Sequence, residues 1–157
     1  MSPTVSPPTL SFFATLLVDV GTPVDVGKTP LGERRIVPIT GGTVSGAGWS
    51  GRVLPDGADF QLHPNERMSH LQARYAVETD DGTRLFVDNT ALRVGSAEDV
   101  AALSRGERVD PSRIYFRCWP RIHAAIGSDF EWLNERLCVG TGEREPDRVR
   151  IDVFVID

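Results

Sequence analysis

The chain has 157 residues, the size of one ordinary domain, so two full domains are excluded. Its 17 basic against 22 acidic side chains leave a net charge of −5, which argues against a nucleic-acid partner whose phosphates would have to be neutralised. With 40% hydrophobic and 25% charged residues it reads as a soluble globular protein, neither disordered nor membrane-embedded. The two cysteines, Cys118 and Cys138, are too few for a disulfide framework and lack CxxC grouping, so reduced thiols and a cytoplasmic location are expected.

Residues 1–9, which include Pro3, Pro7 and Pro8, are expected to form a disordered or extended tail ahead of a single domain over 10–157. The apolar run over 10–20 has no positive charge before it and is interrupted by Ser11, Thr15 and Asp19, so it reads as a strand and not as a signal peptide or span. Further strands are predicted at 34–39, 43–54 and 58–62. Gly46-Ala-Gly48-Trp-Ser-Gly51 has the spacing of a dinucleotide fingerprint, but Arg52-Val-Leu-Pro55 opens no helix, which leaves a turn between strands. From His70 to Thr79, Leu71, Ala73, Tyr75 and Val77 alternate with polar residues, and Asp80-Asp81-Gly82 supplies a tight turn into a partner strand over 84–94. This is the clearest hairpin in the chain.

Ser96-Ala-Glu-Asp-Val-Ala-Ala-Leu predicts one short helix, capped by Ser96 and with acids in its first turn, which reads as a surface insertion. A strand follows at 114–119. Phe130, Leu133 and Leu137 are helically spaced, yet Leu137-Cys138-Val139 is β-prone, so 128–140 is read as a turn followed by a strand from 132. Val149, Ile151, Val153 and Val155 then mark a half-buried strand over 148–156. Nine or so short strands punctuated by glycine and proline make an all-β barrel or sandwich.

Neither a P-loop nor a GxSxG nucleophile elbow is present, and His63, His70 and His123 stand outside any metal-ligand spacing, so no metal and no cofactor is expected. Cys118 reads as a small hydrophobe in a strand. More informative are the charged residues inside β-patterned stretches: Arg35, Asp59, Arg74 and Arg117. In a closed barrel the inward members of this set would be positioned polar groups, because a buried charge needs a partner. Periodicity alone leaves open which face points inward.

Several segments in order resemble one known family. They are Gly32-Glu-Arg-Arg-Ile-Val-Pro-Ile-Thr-Gly-Gly-Thr-Val-Ser-Gly, Gly51-Arg-Val-Leu-Pro-Asp-Gly-Ala-Asp-Phe-Gln, Ala73-Arg-Tyr-Ala-Val-Glu-Thr-Asp-Asp-Gly, Tyr115-Phe-Arg and Trp132-Leu-Asn. Together they are similar to the domain of unknown function 3237 family, also called uncharacterised protein family 0311, over about residues 10–156. The resemblance implies a closed or nearly closed antiparallel β-barrel, lipocalin-like or allene-oxide-cyclase-like in outline, with a ligand-sized interior; it implies no reaction. The sequence departs from the family pattern at Phe60, at His63-Pro-Asn-Glu-Arg-Met and at Ile122-His-Ala-Ala.

On this basis a small-molecule site is expected inside the barrel, and the first functional expectation is an enzyme for acid/base-assisted cyclisation, isomerisation or elimination. Asp59 would be the acid/base group, with Arg35 and Arg117 binding a carboxylate or enolate oxygen and Tyr75 donating to it. Arg74 would contact the substrate, Trp119 and Trp132 would form flat walls, and Asn134 would orient the ligand through its amide. The alternatives are a ligand carrier or sensor with the same cavity, and a subunit that works through an apolar surface patch. A homodimer is the default oligomer.

Overall fold

Side chains alternate between two environments through nearly every segment that lies between glycine and proline turns, and each such segment is a strand. The computed structural model describes residues 1–2 and 4–157; Pro3, part of the expected tail, falls outside them. In chain order the strands are β1 (Leu10–Val20), β2 (Val24–Thr29), β3 (Gly32–Gly46), β4 (Ser50–Val53), β5 (Gly57–His63), β6 (Met68–Thr79), β7 (Arg84–Val94), β8 (Tyr115–Ala124), β9 (Cys138–Arg144) and β10 (Arg148–Ile156). One α-helix, α1 (Ala97–Ser104), lies between β7 and β8.

These ten strands fill eight positions of a closed, all-antiparallel barrel. β1 pairs with β10 from Leu10 to Asp19 and with β3 from Ala14 to Val20, which joins the two ends of the sheet. Where β1 leaves β3, β2 takes over the same position against Gly32–Ile36. In the same way β4 and β5 follow one another along the slot between β3 and β6. Strands β6 to β10 each pair with their neighbours along the chain, and the pairing of β1 with both β10 and β3 closes the ring, which covers most of the sheet edges that would invite aggregation. The expected barrel is therefore the observed fold, and the sandwich alternative falls away.

Some boundaries differ from expectation. The strands expected at 34–39 and 43–54 become one long β3 up to Gly46 and a short β4 over Ser50–Val53; the glycine pair Gly41-Gly42 lies within β3 without ending it. β2 lies outside the expected strands, because Val24-Asp-Val-Gly-Lys-Thr buries neither face and shows no core-facing alternation. The strand expected from 132 starts only at Cys138, since Glu131–Glu135 form a 3-10 turn that buries Leu133. β8 runs on to Ala124, beyond the expected 119.

The Ser96 side chain caps α1 by accepting from the Asp99 N–H. Val100 and Leu103 are buried, so the helix packs across one end of the barrel and is no mere surface insertion. Ser96→Ala should cost about 1 kcal/mol, read as a small drop in thermal midpoint; an unchanged midpoint would mean that the cap adds nothing to the fold.

Inward-facing apolar residues fill the half of the barrel remote from α1, where Leu16, Val44, Val53, Val77, Leu85 and Val153 form part of one continuous core. Aromatic rings stop that end. Phe13 lies 5.3 Å from Trp49 and 6.0 Å from Trp132, and Trp49 lies 5.0 Å from Phe130. Gly46 has no Cβ because the Trp49 ring occupies that space, which explains the glycine in what first resembled a nucleotide fingerprint.

Candidate functional site

Toward α1 the same inward-facing rows turn polar. On β5 they carry Asp59, Gln61 and His63; on β6, Ser69 and Tyr75; on β7, Asn89 and Arg93; on β9, Arg144. Alternation along β6 and β7 puts their members on the concave side, because apolar neighbours at spacing two, such as Leu71, Val87 and Ala91, are core residues. They surround a chamber of about 50 Å³ lined by Asp59, Gln61, Tyr75, Asn89, Arg93 and Arg144 with apolar residues between. Beside it, between α1 and the ends of β2, β3 and β5, a mouth cavity of about 670 Å³ is lined by Asp25, Glu33, Arg35, His63, Glu66 and Arg105 among others. His63 and Arg35 face the mouth, while the next inward residues on their strands, Gln61 and Val37, face the chamber.

A chain of hydrogen bonds runs between the two spaces. Gln61 Nε2 donates to Asp59 Oδ2 at 2.8 Å, Gln61 Oε1 lies 3.1 Å from His63 Nε2, and His63 Nδ1 lies 2.9 Å from Ser69 Oγ. With the Gln61 amide N–H spent on the carboxylate, its oxygen must accept from His63 Nε2–H, so the Ser69 hydroxyl donates to Nδ1. Burial and the nearby guanidiniums of Arg93 and Arg35 lower the His63 pKa, which favours this neutral ring.

Asp59 retains partial exposure as a residue, but its Oδ1 is shut off from bulk water and has no hydrogen-bond partner. Desolvation raises its pKa, against the opposing pull of Gln61 and Arg93. Arg93, only 4% exposed, is held down to about 10 by burial, so its guanidinium stays charged at neutral pH. It lies over the Phe116 ring, 5.7 Å from the centroid, and its Nε has no hydrogen-bond partner. Burial keeps the Tyr75 phenol protonated, aided by the adjacent Cys118 and Asp59. Asn89 Oδ1 is a further buried atom without a partner.

Of the residues singled out in the sequence, Asp59 and Tyr75 meet in the chamber. Arg35 is inward-facing at the mouth, where its Nη2 donates to the Ser104 carbonyl at the end of α1. Its Nε is 3.1 Å from Asp25 Oδ1, but out of line for a hydrogen bond. The other five lie elsewhere. Arg117 projects outward over the Tyr115 ring, 5.3 Å from its centroid, and Trp119 projects outward under Arg121. Arg74 is exposed beside Asp88 on the outer face, 3.6 Å away. Trp132 belongs to the aromatic stopper, and Asn134 brackets the Ala124 backbone by accepting from its N–H and donating to its C=O.

Parity explains the correction. On β8 the buried residues are Phe116, Cys118, Pro120 and Ile122, which leaves Arg117 and Trp119 on the opposite, solvent face. Arg93 and Asn89 are outside the expected site although they share the face of Leu85, Val87 and Ala91 on β7, a pattern visible in the sequence. Arg117→Ala should accordingly change stability by no more than about 0.5 kcal/mol and leave ligand binding unaltered; a marked loss of binding would return Arg117 to the site.

A model of the family described as "Protein of unknown function (DUF3237)" matches residues 8–156. The chain belongs to this family. A UPF0311 protein of Rhodopseudomonas palustris is 45% identical over 157 residues, 99% of each chain. Its crystal structure superimposes with a TM-score of 0.89 at 42% identity, covering 98% of this chain and all of that one. A beta-barrel like protein from Acinetobacter baumannii gives a TM-score of 0.84 at 32% identity over 99% of this chain and 100% of that one. A crystal structure described as an enzyme from Penicillium herquei shares the fold, with a TM-score of 0.72 at 16% identity and 100% coverage of both chains. Family membership thus agrees with the barrel and specifies no reaction.

Among the described residues no helix is long and apolar enough to cross a membrane, and no three His, Cys, Asp or Glu side chains are grouped to hold a metal ion.

Proposed function

We propose that this barrel is an enzyme in which Asp59 performs acid/base chemistry on a small organic substrate, cyclising or isomerising it, or eliminating a group from it. One observation carries the reading. Asp59 Oδ1, Arg93 Nε and Asn89 Oδ1 are all buried, all without a hydrogen-bond partner, and all belong to residues that line one chamber. Buried polar groups are nearly always satisfied, and unsatisfied ones cost about 1–3 kcal/mol each, so three around one space support a ligand that completes them.

The chemistry follows from the roles left open. Gln61 occupies Oδ2, so Oδ1 is the oxygen that takes a proton from the substrate. The electron pair released moves onto a substrate oxygen, to which the Tyr75 phenol and the Arg93 guanidinium can donate. For cyclisation or isomerisation the proton returns from Oδ1 to another substrate atom; for elimination it leaves with the departing group. The chamber would take the reacting end of such a molecule, and the mouth cavity the remainder. That the distant Penicillium herquei neighbour is described as an enzyme shows that this fold can house a reaction.

The test is a thermal-shift screen against aromatic, polyketide-like and carboxylate-bearing metabolites, with each hit incubated and weighed by mass spectrometry. A stabilising compound that gives a product of altered mass, or an isomer of altered retention, supports the reading. Hits recovered unchanged at every concentration would make the barrel a carrier or sensor.

A further inference from the structure

We propose that the chamber is an oxyanion subsite and that the substrate is an organic acid whose carboxylate docks on Arg93. The inference rests on the site described above and names the class of molecule that enters it. Two guanidiniums, Arg93 and Arg144, and a single carboxyl, Asp59, line the chamber, so its fixed charge is positive even when Asp59 is ionised. A third, Arg35, stands on the same concave face at the mouth. A buried charge is tolerated only with a partner, and Arg93 at 4% exposure has an unpartnered Nε and no ion pair among the described residues. Arg144 donates instead to the backbone carbonyls of Glu145 and Arg148, which fixes its head group without neutralising it.

Size points the same way. A chamber of about 50 Å³ has room for a small polar group such as a carboxylate. The rest of the acid would then occupy the mouth. There Asp25, Glu33, Glu66 and Glu98 outnumber Arg35 and Arg105, so a second anionic group on the ligand would meet repulsion. The preferred ligand is therefore a monoacid with a neutral body.

Acetate and acetamide are matched probes, because they share size and shape and differ in charge. In a non-carboxylate buffer at constant ionic strength, acetate should raise the thermal midpoint in a saturable way, and acetamide should not. Arg93→Met should weaken the acetate response at least about tenfold, the loss expected for a charge-assisted hydrogen bond. Equal responses to acetate and acetamide would overturn the proposal, as would an undiminished acetate response in folded Arg93→Met.

Should Arg93→Met fail to fold, Asp59→Asn decides the matter. At a pH where Asp59 is ionised, removing the carboxylate that competes for Arg93 must strengthen acetate binding, and weaker or unchanged binding there would overturn the subsite. Acetate is a binding probe, so this result is independent of turnover. If Asp59→Asn binds acetate more tightly and still converts substrate at the wild-type rate, the acid/base reading falls while the subsite stands; if acetate shows no preference over acetamide but Asp59→Asn abolishes conversion, the reverse holds.

Discussion

Asp59→Asn should leave the barrel folded and reduce turnover of its substrate by at least about a hundredfold, the usual scale for loss of a positioned acid/base group. The amide has the size of the carboxyl and can still present an oxygen to Gln61 Nε2, so the hydrogen-bond chain through His63 to Ser69 survives. What disappears is the basic Oδ1. Since the reaction starts from the ionised carboxylate, the wild-type rate should rise with pH through the Asp59 pKa, which burial has raised, and this limb should be missing from any residual activity of the variant. An unchanged rate or an unchanged pH profile would remove Asp59 from the mechanism.

The same shift has a consequence for stability, with a defined sign. The folded state holds the Asp59 proton more tightly than the unfolded chain, so this contribution is complete below the ordinary value of 3.8 and is lost as pH rises through the raised one. The stability of wild type relative to Asp59→Asn should therefore decline from acid toward neutral pH. Paired denaturation curves across that range measure it, and a flat difference would mean that the carboxyl is better solvated than its surroundings indicate.

Gly42→Ala should be the most damaging small substitution in the chain. Gly42 lies in β3 opposite Val18 of β1, on the seam where the barrel closes, and its φ of +141° is one that side chains rarely adopt. An added Cβ would overlap the Leu17 carbonyl oxygen and lie 3.1 Å from the carbonyl carbon and 3.2 Å from the Val18 Cα. These are backbone atoms of a hydrogen-bonded strand and cannot swing aside. Backbone strain alone costs about 1–3 kcal/mol. With the seam forced apart the loss should be at least about 3 kcal/mol, a drop of about 6–12 °C in thermal midpoint for a domain of this size. Gly27→Ala separates the two causes, because Gly27 has a φ of +103° but nothing within 4 Å of the added carbon. A drop no larger in Gly42→Ala than in Gly27→Ala would show that contact across the seam is unimportant.

Much of this architecture was legible residue by residue. The alternation of Leu71, Ala73, Tyr75 and Val77 and of Val149, Ile151, Val153 and Val155 identified β6 and β10, and Ser96 marked the start of α1. Where local signals competed, the reading slipped: Leu133 is buried by a 3-10 turn because Phe13, Trp49, Phe130 and Trp132 gather at the closed end from three distant parts of the chain. Asp59, Tyr75 and Arg35 reach the inner face, but residue type singles them out no better than Arg117, Trp119 and Arg74, which lie on the outer faces of β8 and β6, because periodicity alone leaves the inward face open.

Alternation, turn residues and caps are properties of adjacent residues, so a run of short amphipathic strands belonging to one barrel family is legible along the chain. Which polar side chains meet depends on how the sheet closes. Asp59, Arg93 and Arg144 are brought to one chamber by the pairing of β1 with both β10 and β3, which turns one face of the core strands inward at once. Closure is a contact between the two ends of the sheet, and no window of neighbouring residues contains it.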